Sequence, residues 1–115
     1  MSPSQLTLSF GGIVVAALML SCQAAFAADS ANFIMPGCRS IVAEQPTEQF
    51  KSGLCHGLID GIYYLSNDVC GPAGATREQS VRVVAQYIDA RPARMHEDFR
   101  ILALEAMKAA WPCKR

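Results

Sequence analysis

The chain has 115 residues, and its ten basic and ten acidic side chains give a formal net charge of zero. That balance excludes a basic stripe for nucleic acid and a polybasic patch for an anionic membrane. At this length, one small domain is the natural content of the chain.

The N-terminal stretch reads as an export signal. Asp29 is the sole acidic or basic side chain among the first 38 residues, Ile13 to Leu20 is an almost unbroken apolar run, and Ser21 to Ala27 closes it with small residues. Ala25-Phe26-Ala27 places small side chains before a cut that would leave Ala28 as the new terminus, so residues 1–27 are expected to be a cleaved secretory signal peptide. The apolar run is far short of the roughly 20 residues needed to cross a bilayer. A minor alternative is lipoprotein processing at Cys22, although Met19 and Leu20 fit the small-residue pattern before an acylated cysteine poorly. The expected mature domain, residues 28–115, holds all twenty charged side chains and needs covalent help to stabilise so small a core.

Cys38, Cys55, Cys70 and Cys113 remain after that cut, an even set that in an exported chain reads as two disulfides. Their spacings of 17, 15 and 43 residues lack the clustering of a zinc site. Leu54-Cys55-His56 would need a cysteine at Ser52 to attach haem, so no cofactor is expected.

Helical periodicity dominates the rest and predicts an all-α, four-helix domain. A first helix is expected between Ser30 and Glu44, with Phe33, Ile34, Ile41 and Val42 toward a core and Pro36-Gly37 starting, kinking or interrupting it. The second runs from about Glu48 to Asn67, with Phe50, Leu54, Leu58, Ile62 and Leu65 recurring at three and four residues. Gly53, Gly57 and Gly61 form a row on another face. Each costs about 1 kcal/mol against Ala in a helix, so the row predicts that another backbone packs closely there. A phosphate cradle would need them in a loop before a helix.

Asn67 to Ala75 is a loop by composition. Thr76-Arg77-Glu78-Gln79 offers a capping box that starts a third helix, whose apolar face is Val81, Val84, Ala85 and Ile88 and which Pro92 stops. The fourth is expected from about Ala93 to Ala110, with Met95, Phe99, Leu102, Ala103, Ala106, Met107 and Ala110 on one side, and Trp111-Pro112-Cys113 ends it. If short links make neighbouring helices antiparallel, Cys70 and Cys113 meet at one end, and Cys38 and Cys55 bracket the first turn. Of three pairings, Cys38 with Cys55 and Cys70 with Cys113 are therefore predicted. Closing these loops stabilises by roughly 3 and 4 kcal/mol in the chain-entropy model.

No catalytic set stands out, and the chain is not expected to be an enzyme. His56 lies beside Cys55 and near Asp60, but a disulfide at Cys55 removes the thiolate that nucleophilic catalysis needs. His96, with Glu97 and Asp98, reads as first-turn decoration of the fourth helix. Asp60 and Asp68, eight residues apart, fall near one helical face without implying an acid–base dyad. Tyr63, Tyr64, Tyr87 and Trp111 are candidates for a partner-binding patch, or for core and rim.

The ordered set Leu54-Cys55-His56-Gly57-Leu58-Ile59-Asp60-Gly61, Cys70-Gly71-Pro72 with Thr76 and Gln79, Tyr87-Ile88, Arg91-Pro92, His96 and Ala110-Trp111-Pro112-Cys113 resembles the Rap/Tai family of immunity proteins. The resemblance runs from about Cys38 to Cys113. It implies a periplasmic helical domain, often a homodimer, that protects a bacterium by binding and blocking a cell-wall amidase delivered by a type VI secretion system. By the same analogy Gly71, Pro72, Ala73, Gly74 and Ala75 form a loop that inserts into an enzyme cleft. The competing expectation is a small periplasmic acid-stress chaperone, which size, compartment and fold class would equally suit.

Overall fold

The computed structural model describes residues 29–45 and 47–114. The predicted signal peptide and Cys22 lie outside the described residues. Four helices follow in order: α1 (Ala31–Val42), α2 (Gln49–Leu65), α3 (Arg77–Asp89) and α4 (Phe99–Ala110), with a 3-10 turn at Pro92–Arg94 between the last two. Outside them, only two isolated β-bridges are formed among the described residues, Ser30 with Asp98 and Val69 with Pro112.

The starts of α1, α3 and α4 have local causes, whereas α2 begins after Glu48 without a side-chain cap. The Ser30 hydroxyl accepts from the Phe33 amide at 3.3 Å. The other exposed amides of the first turn of α1 are taken by the chain before α4: Ala31 N–H donates to Glu97 O at 2.9 Å and Asn32 N–H to Met95 O at 2.8 Å. Thr76 and Gln79 form the predicted capping box, with the Gln79 amide donating to Thr76 Oγ1 at 3.2 Å and the Thr76 amide to Gln79 Oε1 at 2.8 Å. α4 begins later than its apolar pattern suggests, because Pro92 opens a 3-10 turn and Asp98 caps the helix by accepting from the Arg100 amide at 2.9 Å. His96 therefore sits exposed in the turn before α4, not within its first turn.

Pro36 and Gly37 do not interrupt α1, which runs through both. Gly37 is where the fold demands a glycine: a Cβ there would collide with the backbone of Lys51 and Ser52 on α2. Ser52 Oγ donates to Gly37 O at 3.2 Å across this crossing, and the Cys38–Cys55 disulfide closes it. The close backbone approach predicted at Gly53, Gly57 and Gly61 is thus absent there; a Cβ at any of the three would meet nothing within 4 Å. α2 lies against α1 through its opposite side, so the glycine row faces outward.

The core gathers Ile34, Met35 and Cys38 from α1, Cys55 and Ile59 from α2, Val81, Val84, Ala85 and Ile88 from α3, and Phe99, Leu102, Ala103, Ala106 and Met107 from α4. The predicted faces of α3 and most of α4 are these residues, with Met95 half-buried and Ala110 exposed. α2 departs from expectation: Phe50 is 72% and Leu65 84% exposed, and Leu54, Leu58 and Ile62 are only half-buried. Its buried residues are Cys55 and Ile59, so the face that carries the disulfide, rather than the longest apolar stripe, is turned to the core.

Candidate functional site

The loop between α2 and α3 is held at its stem and open at its tip. Cys70 is bonded to Cys113, its amide donates to Trp111 O at 2.9 Å, and Val69 bridges to Pro112. Gly71 packs so closely on the Tyr63 ring that a Cβ would overlap the phenol. The chain then turns, with Ala75 N–H donating to Pro72 O at 3.1 Å and Gly74 in the left-handed region at φ 88°. Pro72, Ala73 and Gly74 are exposed, whereas Gly71 and Ala75 are half-buried. The five predicted loop residues therefore form one tight turn on a braced stem.

An aromatic ladder leads from that stem to the surface. Trp111 meets Tyr63 edge to face at 5.9 Å between centroids, and Tyr63 meets Tyr64 at 5.4 Å. Tyr64 ends the ladder, 79% exposed. Beside it a polar cavity of about 260 Å³ is lined by Asp60, Tyr63, Tyr64, Ala75, Thr76 and Arg77, among others, and Arg77 Nε binds Asp60 Oδ2 at 2.8 Å across it. Three of the four candidate aromatic residues thus share the loop's neighbourhood. Tyr87 does not join them: its hydroxyl donates to Glu105 Oε2 at 3.1 Å, and the Arg91 guanidinium lies over its ring at 3.6 Å.

The remaining candidates are kept apart. Asp60 pairs with Arg77, while Asp68 faces Lys108 at 3.8 Å, so no carboxylate dyad forms. His56 lines a cavity of about 360 Å³ with Ser40, Ile41, Glu44, Gln45, Gln49 and Ser52, and its Nδ1 is buried without a hydrogen-bond partner. The cysteine beside it is locked in the disulfide. Among the described residues no group of three or more His, Cys, Asp or Glu is placed to hold a metal ion.

Two features had no counterpart in the sequence reading. Arg94 bridges Glu97 at 2.7 Å and Glu105 at 2.7 Å, tying the 3-10 turn to α4. The Arg94 hydrogen bonds hold both carboxyls below their ordinary range, and the guanidinium is held still more firmly charged in return. Asp98 is lowered likewise by the Arg100 side chain. The second is a shallow apolar groove of about 410 Å³ between α2 and α4, where Gly57 and Gly61 lie among Leu58, Ile62, Leu65 and Leu104. No helix of the described residues is long and apolar enough to cross a membrane.

The described residues thus form a small all-α domain, stapled by two disulfides, with a braced loop between α2 and α3. Its sequence matches the model of the Rap1a immunity proteins over residues 15–113. The chain belongs to the Rap1a immunity protein family. No curated protein and no solved structure matches it. Membership supports an immunity role, which means binding a partner effector.

Proposed function

We propose that this is a periplasmic, non-catalytic immunity protein. Exported by the signal at residues 1–27, it binds and blocks a peptidoglycan amidase delivered by type VI secretion. The observation that carries the reading is the Gly71–Ala75 turn: three exposed residues on a stem fixed by Cys70–Cys113 and by the Tyr63 ring. A preorganised turn loses little entropy when it enters an enzyme cleft. Tyr64, whose ring is amphipathic and open, stands beside it as the natural anchor. Blocking by contact needs no cofactor. The reading includes self-association of the domain, which the family resemblance implies and sedimentation equilibrium measures.

The test is survival. A strain lacking the gene should be killed by a neighbour that delivers the amidase, and the gene should rescue it. Unchanged survival, together with no binding of amidase by the purified protein, overturns the proposal.

A further inference from the structure

We propose that Cys70–Cys113 is a redox latch on the Gly71–Ala75 turn, which a dithiol reductant opens selectively, freeing the turn while Cys38–Cys55 stays closed and the helices stay folded. The two disulfides differ in access. Cys38 and Cys55 are both 0% exposed at the crossing of α1 and α2. Cys70 is exposed and Cys113 half-buried. Thiol–disulfide exchange requires a thiolate to reach a sulfur, so the outer bond is open to attack from the native state. The inner one is reached only when α1 and α2 part, which is a local unfolding of the core.

The chemistry closes on itself. One thiolate of the dithiol attacks Cys70 Sγ, forming a mixed disulfide and expelling Cys113 as a thiolate that takes up a proton. The second thiol then attacks its partner sulfur, releases Cys70 as a thiol and leaves as a cyclic disulfide. Two electrons pass from the dithiol to the protein.

Once the bond opens, the stem keeps only non-covalent ties: the Cys70 amide on Trp111 O at 2.9 Å, the Val69–Pro112 bridge, the packing of Gly71 and Trp111 on the Tyr63 ring, Cys113 Sγ on Asn67 O at 3.4 Å, and a long surface ion pair of Lys108 with Asp68 at 3.8 Å. An exposed pair of that kind contributes at most about 1 kcal/mol. From this segment Val69 is buried in the core and Trp111 packs half-buried against it. Opening therefore loosens residues 66–76 and 111–114 and spares the packed helices. Loss of partner binding on reduction rests on the turn being the recognition element, as proposed above; the latch itself does not.

The experiment uses the oxidised protein and dithiothreitol, with alkylation at timed points, peptide mapping, and hydrogen exchange on the same samples. Cys70 and Cys113 should label about ten-fold faster than Cys38 and Cys55, or more, because access controls exchange. In the half-reduced protein, amides of 66–76 and 111–114 should lose protection while those of α1 and α2 keep it. The C70S/C113S variant should reproduce that pattern. Equal labelling rates, earlier labelling of Cys38 and Cys55, or a turn that keeps its protection in both half-reduced protein and variant would overturn the latch. A latch that opens as described in a protein that gives no survival advantage would sink the immunity reading and leave the latch standing.

Discussion

Around Cys38–Cys55 two helices touch backbone to backbone at Gly37, and both sulfurs are sealed in the core. Around Cys70–Cys113 a similar bond sits at the rim, with an exposed turn on one side and an aromatic ladder on the other. α2 joins the two neighbourhoods, starting at the crossing and ending at the loop. The contrast shows one type of covalent staple used in two ways: inside, it fixes how helices pack, and outside, it fixes how a loop is presented.

Removing each bond gives the largest test. Chain entropy alone ranks Cys70–Cys113 higher, about 4 against about 3 kcal/mol, because its separation is 43 residues rather than 17. Burial reverses that order. C38A/C55A should cost about 5 kcal/mol, adding a cavity of about 2 to the loop-closure loss, and C70S/C113S at most about 4. Urea midpoints decide, and the opposite order would make loop length the governing quantity.

Next in size is Gly37→Ala. Alanine ordinarily gains about 1 kcal/mol over glycine in a helix, yet here its methyl would strike the Lys51–Ser52 backbone. A loss of about 1–3 kcal/mol is expected. A gain instead would mean that the helices do not cross there. Gly57→Ala sharpens the same point from the other face of α2, where a methyl meets nothing: it should stabilise by up to about 1 kcal/mol in thermal unfolding. If the variant is stabilised yet self-associates less, the open groove is where copies meet.

The smallest effect is acidic. Glu97 and Glu105 are lowered by Arg94 from an ordinary value of 4.5, so they bind protons less readily folded than unfolded. Their contribution is present above pH 4.5 and is lost as pH falls through their lower folded values. Glu105→Gln should flatten the decline in thermal midpoint below that pH. Because both groups are open to solvent, the change should be small beside the disulfide effects.

Much of the fold was legible in the residues. The capping box at Thr76, the apolar face of α3 and both disulfide pairs follow from local chemistry and chain order. Cys38 and Cys55 are brought together not merely by a short turn but by the crossing of α1 and α2 at Gly37. What sequence missed was relational. A glycine row signals a close approach or an open surface equally well, and only the partner helix decides; Gly37, beside Pro36, looks like a helix breaker, yet it is where the two backbones meet. Pro92 marked a stop, but Asp98 capping the next helix was hidden by the run His96-Glu97-Asp98, which looks like an acidic first turn. The turn at Gly71–Ala75 could be located by composition and resemblance, whereas its bracing by Tyr63 could not, because that contact joins α2 to the loop through a missing Cβ.

The separations of the cysteines also set an order of events. A polypeptide emerges N-terminus first, and Cys55 follows Cys38 by 17 residues, so the inner bond can close while α3 and α4 are still to come. Cys70 must wait for Cys113, 43 residues later, and until then it is a free nucleophile next to a young disulfide. Burial of Cys38 and Cys55 requires α3 and α4 packed on the crossing, and α4 ends at Ala110, just before Cys113, so the inner bond is sealed from Cys70 only at the point in the chain where Cys70 gains its own partner.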